Sequence, residues 1–195
     1  MEEAQLTKDG IRERISRRVA EMPAETRQDN LGRVEQRLAE FANYIESRIV
    51  LFYVEKEGEI PTKGIIKHSL DHNKIVVLPA FKTNNHSMKL FKVGHPAKDL
   101  IMGGRGILEP NPARCKAVPV DVIDIAIIPG LVFDEKGGRI GSGHGYYDRL
   151  IPKLTLTTRK VAITMEAQIL PIVPMESHDR YVDIIISEKR VIYKI

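Results

Sequence analysis

A chain of 195 residues with 43% hydrophobic and 29% charged residues can bury a core without staples, which excludes a disordered polypeptide. Its 30 Lys and Arg against 26 Asp and Glu leave a formal charge of +4. That balance suits an anionic small molecule or nucleotide and is too mild to argue for nucleic acid. Cys115 is the one cysteine, so no intrachain disulfide can form and nothing supports a thiolate metal cluster. The opening MEEAQLTKDG is acidic and polar, and the longest apolar stretch, near Val122 to Phe133, is broken by Asp124 and Pro129. Neither has the make-up of a signal peptide or a membrane span. A cytoplasmic protein with no membrane partner is expected.

Ile11, Ile15 and Val19 recur every four residues and predict an amphipathic helix from about Thr7 to Glu21, ended by Pro23. Its basic run, Arg12, Arg14, Arg17 and Arg18, reads as a solvated face with no RNA-binding aromatic motif beside it. A second helix is expected from Ala24 to Tyr44, with Leu31, Val34, Leu38, Phe41 and Ile45 on one face. Ile49 to Val54 is a continuous β-branched and aromatic run, as in a strand covered on both sides. The polar loop EKEGEIPT follows, then a short helix carrying Ile65, Ile66 and Leu70, then the strand KIVVLP. Together they make a βαβ unit with parallel strands and a right-handed crossover.

Residues 80–120 are loop-rich, with one strand candidate, MKLFKV. VIDIAIIP is another buried strand, leading into the turn FDEKGGR, the loop GSGHG and a helix opening near Tyr146. RKVAITM and YVDIIIS complete the buried strands, and EKR turns the last into a hairpin ending VIYKI. No repeat or linker interrupts the chain. The expectation is an α/β fold: a single three-layer domain over residues 1–195, with a largely parallel sheet between helices.

The segment from Ile127 to Leu150 carries the most chemistry. Gly141, Gly143 and Gly145 alternate, which lets the backbone bend until several N–H groups face one concavity. The helix after the loop would add free amides and the positive end of its dipole. Arg139 and His144 flank the loop and could add charge-assisted hydrogen bonds to phosphate. Neither a Walker A motif nor a GxGxxG fingerprint is present. Taken alone, three alternating glycines fit a structural loop as well as a phosphate site.

Taken whole, the segment is more specific. Pro129, Gly130, Phe133, Asp134, Arg139, the three alternating glycines and the run Tyr146-Tyr147-Asp148-Arg149 resemble the signature of the 5-formyltetrahydrofolate cyclo-ligase family. Lys8 and Arg12, the stretch Gly58 to Thr62, the run Gly106 to Pro110, and Gln168, Pro171, His178 and Asp179 match further motifs of that family in order. The resemblance covers nearly the whole chain. It implies closure of 5-formyltetrahydrofolate, with or without a polyglutamate tail, to 5,10-methenyltetrahydrofolate, with ATP as co-substrate and Mg²⁺ as metal. Phosphoryl transfer of this kind is mostly positioning and charge neutralisation. No protein nucleophile is required.

The resemblance also implies roles. Lys8 and Arg12 lie one helical turn apart and on spacing alone read as a solvated face; the family places both on ATP phosphates. Arg139, Gly141, Ser142, Gly143, His144, Gly145, Tyr146 and Tyr147 would surround the nucleotide, with Lys8, Arg139 and Tyr147 catalytic. Val54, Glu59 and Tyr147 would line the folate pocket, Glu59 facing the pterin's N–H donors. Asp148 and Asp179 would hold Mg²⁺. Ser142 stands where the family often has Arg or Tyr, and His144 where Lys or Gly is common. Phe91 is the candidate for a further aromatic against the folate.

Other readings of single features are weaker. His68 and His72 have the spacing of a zinc pair but lack the following glutamate and a third ligand. Cys115 reads as a packed thiol. Two rival functions share the motifs: a related ATP-dependent ligase or kinase on another metabolite, and a non-catalytic nucleotide- or RNA-binding homologue whose site Ser142 and His144 have spoiled. A monomer without nucleic-acid partners is expected.

Overall fold

The computed structural model describes residues 7–194. Residues 1–6, on which the expectation about a leader rests, and Ile195, the end of the expected hairpin, lie outside them. Helix α1 (Lys8–Ala20) starts at Thr7, whose hydroxyl accepts from the Gly10 amide at 3.2 Å, and it buries Ile11 and Ile15. The second expected helix is two, α2 (Ala24–Ala39) and α3 (Ala42–Glu46). The break at Glu40 and Phe41 shifts the helical phase, so Tyr44 turns inward and Ile45 is left exposed, against expectation. The reason is tertiary: the Tyr44 hydroxyl lies 2.7 Å from Ser69 Oγ, deep in the core.

Strand β1 (Ile49–Leu51), helix α4 (Lys63–Asp71) and strand β2 (Ile75–Lys82) form the expected parallel unit, with Val50 opposite Val76. Phe52 makes the last bond to β2, its amide donating to Val77 O at 2.9 Å, and Tyr53 stays buried beyond the ladder, so β1 is shorter than its apolar run. Then come β3 (Ser87–Val93), α5 (Pro96–Asp99), β4 (Leu100–Met102), β5 (Leu108–Pro110) and β6 (Ala117–Val118). Of these only β3 is legible from the sequence, because strands of two or three residues carry no measurable period. β7 (Ile125–Ile127) is the centre of VIDIAIIP. The expected turn FDEKGGR links β8 (Val132–Asp134) to β9 (Arg139–Ile140). α6 (Tyr146–Leu150), β10 (Arg159–Ile163), β11 (Ile169–Leu170), β12 (Ile184–Ile186) and β13 (Val191–Tyr193) complete the chain.

Among the described residues the main sheet has eight strands in the order β13-β12-β10-β7-β1-β2-β3-β6. The five central strands, from β12 to β2, are parallel; β13 and β3 run against them, and β6 pairs antiparallel with β3 at the edge. Alternation along each strand sends side chains to opposite faces. Val50, Val76, Ile125 and Ile184 pack against α2, α3 and α4, while Leu51, Val77, Ala126 and Ile185 pack against α6 and the turn after it. Helix α1 instead covers the small sheet of β8, β9 and β11 through Ile11 and Ile15. Among the described residues no helix is long and apolar enough to cross a membrane.

Candidate active site

Because β1, β2 and β7 are parallel, their carboxyl ends share one edge, the place where open α/β sheets hold ligands. A cleft of about 770 Å³ opens there. Lys8 and Arg12 enter it from α1, Val54 and Glu59 from the loop after β1, Arg139 from β9, and Gly141 through Asp148 from the glycine loop and α6. Asp179 enters from the loop before β12. Every residue singled out from the sequence as a site residue lines this one cavity, with the exception of Phe91. Among the described residues its walls carry eight Lys and Arg side chains against four carboxylates, an excess that favours an anionic occupant.

The glycine loop owes its shape to Gly143 and Gly145, at φ +91° and +65°, where a side chain would be strained. Guanidinium groups crowd round it. Arg12 Nε donates to Gly141 O at 2.8 Å, and Arg149 Nη1 donates to the carbonyls of His144 and Gly145 at 3.3 and 3.1 Å. A Cβ on Gly145 would sit 2.9 Å from Arg149 Nη1, and one on Gly141 would sit 3.0 Å from Arg139 Nη1. Helix α6 has only five residues. Its dipole is therefore a minor asset, and the positive charge of the cradle comes from arginines rather than from the helix end expected above.

Two ion pairs organise the mouth of the cleft. Arg139 Nη2 donates to Asp148 Oδ1 at 2.7 Å, and the Arg180 amide donates to the same oxygen at 3.0 Å. Burial lowers the Arg139 pKa, against the attraction of Asp148. Lys8 Nζ reaches Asp179 Oδ2 at 2.5 Å and Glu176 at 2.8 Å. Burial opposes the Lys8 charge, but these two carboxylates outweigh it and raise the pKa. Burial likewise opposes ionisation of Asp179, and the Lys8 hydrogen bond brings its carboxyl below the ordinary range.

Opposite the glycine loop, Glu59 Oε2 accepts from the Lys56 amide at 2.9 Å, and burial raises the Glu59 pKa. Gln168 Nε2 steadies this loop by donating to Gly58 O at 3.1 Å and Leu131 O at 3.0 Å. The Tyr147 hydroxyl is buried and has no hydrogen-bond partner among the described residues. Burial pushes its pKa far up, so the phenol keeps its proton. Ser142 Oγ accepts from Lys56 Nζ at 3.2 Å. His144 is held neutral near pH 7, its pKa lowered by burial and by Lys56 and Arg105. Neither departure from the family pattern closes the cleft.

Lys56, Phe81, Arg105, Arg149 and Lys153 also line the cavity and were given no site role from the sequence. Arg105 lies between two rings, 4.3 Å from the centroid of Phe81 and 4.4 Å from that of Tyr146, a cation–π arrangement. Phe91, the aromatic favoured from the sequence, is buried in the core opposite Leu78; Phe81, at the far end of β2, is the one that reaches the cleft. The signal available was its place just past a buried run at a parallel strand's carboxyl end. The His68–His72 pair is satisfied internally, His68 Nδ1 lying 3.2 Å from the Tyr44 hydroxyl and His72 Nδ1 2.8 Å from His68 O. Cys115 is buried, with its pKa raised by burial.

The chain matches the sequence profile of the 5-formyltetrahydrofolate cyclo-ligase family over residues 4–188. It belongs to that family. It is 25% identical over 189 residues to the 5-formyltetrahydrofolate cyclo-ligase of Mus musculus, covering 93% of each chain. It is also 25% identical over 178 residues to that of Escherichia coli, covering 91% of this chain and 98% of the relative. In three dimensions it resembles the NMR structure of Aquifex aeolicus 5,10-methenyltetrahydrofolate synthetase, with a TM-score of 0.83 and 27% identity over 96% of this chain and 92% of that one. The motifs shared with the cyclo-ligase family divide in space. Asp134 binds the amides of Lys136, Gly138 and Val173, and buried Glu109 accepts from the Phe81 amide at 2.9 Å. With Gln168 they build the frame that the cleft residues stand on.

Proposed function

We propose that the cleft binds ATP, Mg²⁺ and 5-formyltetrahydrofolate and closes the folate to 5,10-methenyltetrahydrofolate, releasing ADP and phosphate. The observation that carries this reading is the meeting, in one cleft, of an arginine-ringed glycine loop with the half-buried carboxylate of Glu59. The first suits a triphosphate. The second suits the N–H donors of a pterin.

In this reading Lys8, Arg12 and Arg139 hold the phosphates of ATP against the loop. Lys8 exchanges Asp179 and Glu176 for phosphate oxygens. Mg²⁺, when bound, offsets phosphate charge, and the donor set fits a hard cation. Asp148 and Asp179 would hold it, since each commits one carboxylate oxygen to the protein and leaves the other without a hydrogen-bond donor among the described residues. Glu59 orients the pterin and Val54 packs on its apolar face. Tyr147, still protonated, donates to the oxygen that changes hands. The formyl oxygen on N5 takes the terminal phosphoryl group of ATP and ADP leaves. N10 then attacks the formyl carbon and gives up its proton, and phosphate departs with the former formyl oxygen. The chain's contribution is alignment and charge neutralisation. It acts as a cytoplasmic monomer on folates with or without a polyglutamate tail.

The test is direct. Purified protein with Mg-ATP and 5-formyltetrahydrofolate should generate the near-ultraviolet absorbance of the methenyl product, with ADP in equal amount. ADP release that is the same without folate would sink the reading.

A further inference from the structure

Arg105 stands apart from the other arginines of the cleft. Arg12 and Arg139 are each paired with a carboxylate, and Arg149 and Arg180 donate to backbone carbonyls. Among the described residues Arg105 forms no ion pair. It lies instead over the rings of Phe81 and Tyr146, 4.3 and 4.4 Å from their centroids. Such contacts fix a guanidinium in position while its five N–H donors stay free for an oxygen.

The hairpin that carries Arg105 is built to keep it there. Arg105 tips the turn between β4 and β5, where the Gly106 amide donates to Gly103 O at 3.1 Å and Gly106 takes φ +73°. A Cβ on Gly103 would collide with the Glu109 carboxylate. Because Gly103 leaves that space open, Glu109 fits against the turn and accepts the Phe81 amide. The base of the hairpin is thereby tied to the residue whose ring carries Arg105. Four groups feel the Arg105 charge: Lys56 and Glu59 of the folate loop, His144 of the glycine loop and Tyr147 of α6. Arg105 therefore stands where the two halves of the cleft meet.

We propose that Arg105 is a further catalytic residue, donating to the phosphoryl group while that group passes from ATP to the formyl oxygen. The role rests on the folate reading above. In that step the bond between the γ-phosphorus and the β,γ-bridging oxygen breaks, and its electron pair leaves with ADP. The formyl oxygen forms the new bond to phosphorus. Negative charge is spread over the equatorial oxygens of the group in transit, which lies between nucleotide and pterin. Lys8, Arg12 and Arg139 hold ATP in its ground state. A cation with free donors at the crossing gains its contacts as the transfer proceeds, and contacts made only then raise kcat rather than affinity.

The experiment compares the wild type with Arg105→Gln, Arg105→Lys and, as a control for net charge, Lys98→Gln. Lys98 is exposed on α5 and does not line the cleft. In Arg105→Gln, kcat should fall on the order of tenfold to a hundredfold, with KM for ATP and for folate moving by less than about threefold. Arg105→Lys should recover part of kcat, since it restores the charge without the planar fork. Lys98→Gln should keep all of it. An equilibrium measurement separates transit from ground state. With folate present, affinity for ADP plus aluminium fluoride, a mimic of the phosphoryl group in flight, should fall in Arg105→Gln in step with kcat. Affinity for a non-hydrolysable ATP analogue should not move. A rise in KM for folate at unchanged kcat would give the guanidinium a ground-state contact and overturn the proposal. Joint loss of melting temperature, analogue affinity and kcat would make Arg105 a strut of the hairpin and end it too. Should the wild-type chain form no methenyl product, the functional reading falls and the role with it.

Discussion

Arg139 and Asp148 close on each other across the glycine loop, guanidinium to carboxylate at 2.7 Å, with the arginine side chain only 4% exposed. The loop that would hold phosphate is thus braced by a buried ion pair at its two ends. Removing one member of such a pair leaves an uncompensated buried charge. Asp148→Asn should lower unfolding stability by about 3 kcal/mol, the low end of that effect because asparagine keeps an acceptor. Turnover should fall as well. Raised Mg²⁺ should restore part of the turnover and none of the stability, and denaturant unfolding beside a Mg²⁺ titration separates the two. An unmoved unfolding midpoint would show that the pair is not a brace.

Lys8 makes a different bargain. Its partners Asp179 and Glu176 lie at a partly exposed mouth, where ion pairs add little to stability. Lys8→Ala should therefore change stability by less than ~1 kcal/mol. The same change removes a cation from accumulating phosphate charge, so KM for ATP should rise on the order of tenfold to a hundredfold. Steady-state kinetics over a range of ATP, with melting curves as control, checks both halves. A large loss of stability with unaltered ATP kinetics would make Lys8 a strut.

Glu59 should show its cost in pH. Its folded-state pKa is raised by burial, so protons favour the folded form. The stability linked to this group is fully present below the unfolded carboxyl value, ~4.3, and is lost as pH rises through the folded value. Glu59→Gln should be at least as stable as the wild type at pH 7, and the difference should vanish near pH 4. It should also weaken folate binding with little change for ATP, since one acceptor becomes a donor. Melting temperatures across that pH range test the sign. A variant less stable at pH 7 would mean that the Lys56 amide contact outweighs desolvation.

Lys56 links the folate loop to the glycine loop through Ser142, beside the expected meeting point of formyl oxygen and phosphate. Lys56→Gln should lower kcat on the order of tenfold, because one charge-assisted contact is lost where charge builds up. Lys56→Arg should keep most of it. Burial and the neighbouring Arg105 lower the Lys56 pKa, against the pull of Glu59. The wild type should lose activity on the alkaline side earlier than an ordinary lysine would dictate, and Lys56→Arg should not. Superimposable pH profiles would remove Lys56 from the chemistry.

Much of this molecule could be read along the chain. The buried parallel strands stand out because a strand covered on both faces needs an unbroken apolar run, as Ile125–Ile127 and Ile184–Ile186 have. Helix α1 stands out by its period, and the glycine loop by residues that adopt positive φ without strain at positions 143 and 145. The ordered motifs were enough to bring together residues from both ends of the chain, and Lys8 and Asp179 do touch. These are properties of neighbours in sequence or of a shared pattern. What only the tertiary structure decided is which charge meets which. Asp148, expected as a metal ligand, is also the partner of Arg139. Lys56 finds Ser142, Arg105 fills the space between Phe81 and Tyr146, and Tyr44 displaces Ile45 from the core because Ser69 is there to receive it. A side chain's backbone preference is set within a few residues, but its partner and its pKa are set by packing across distances that no local period records.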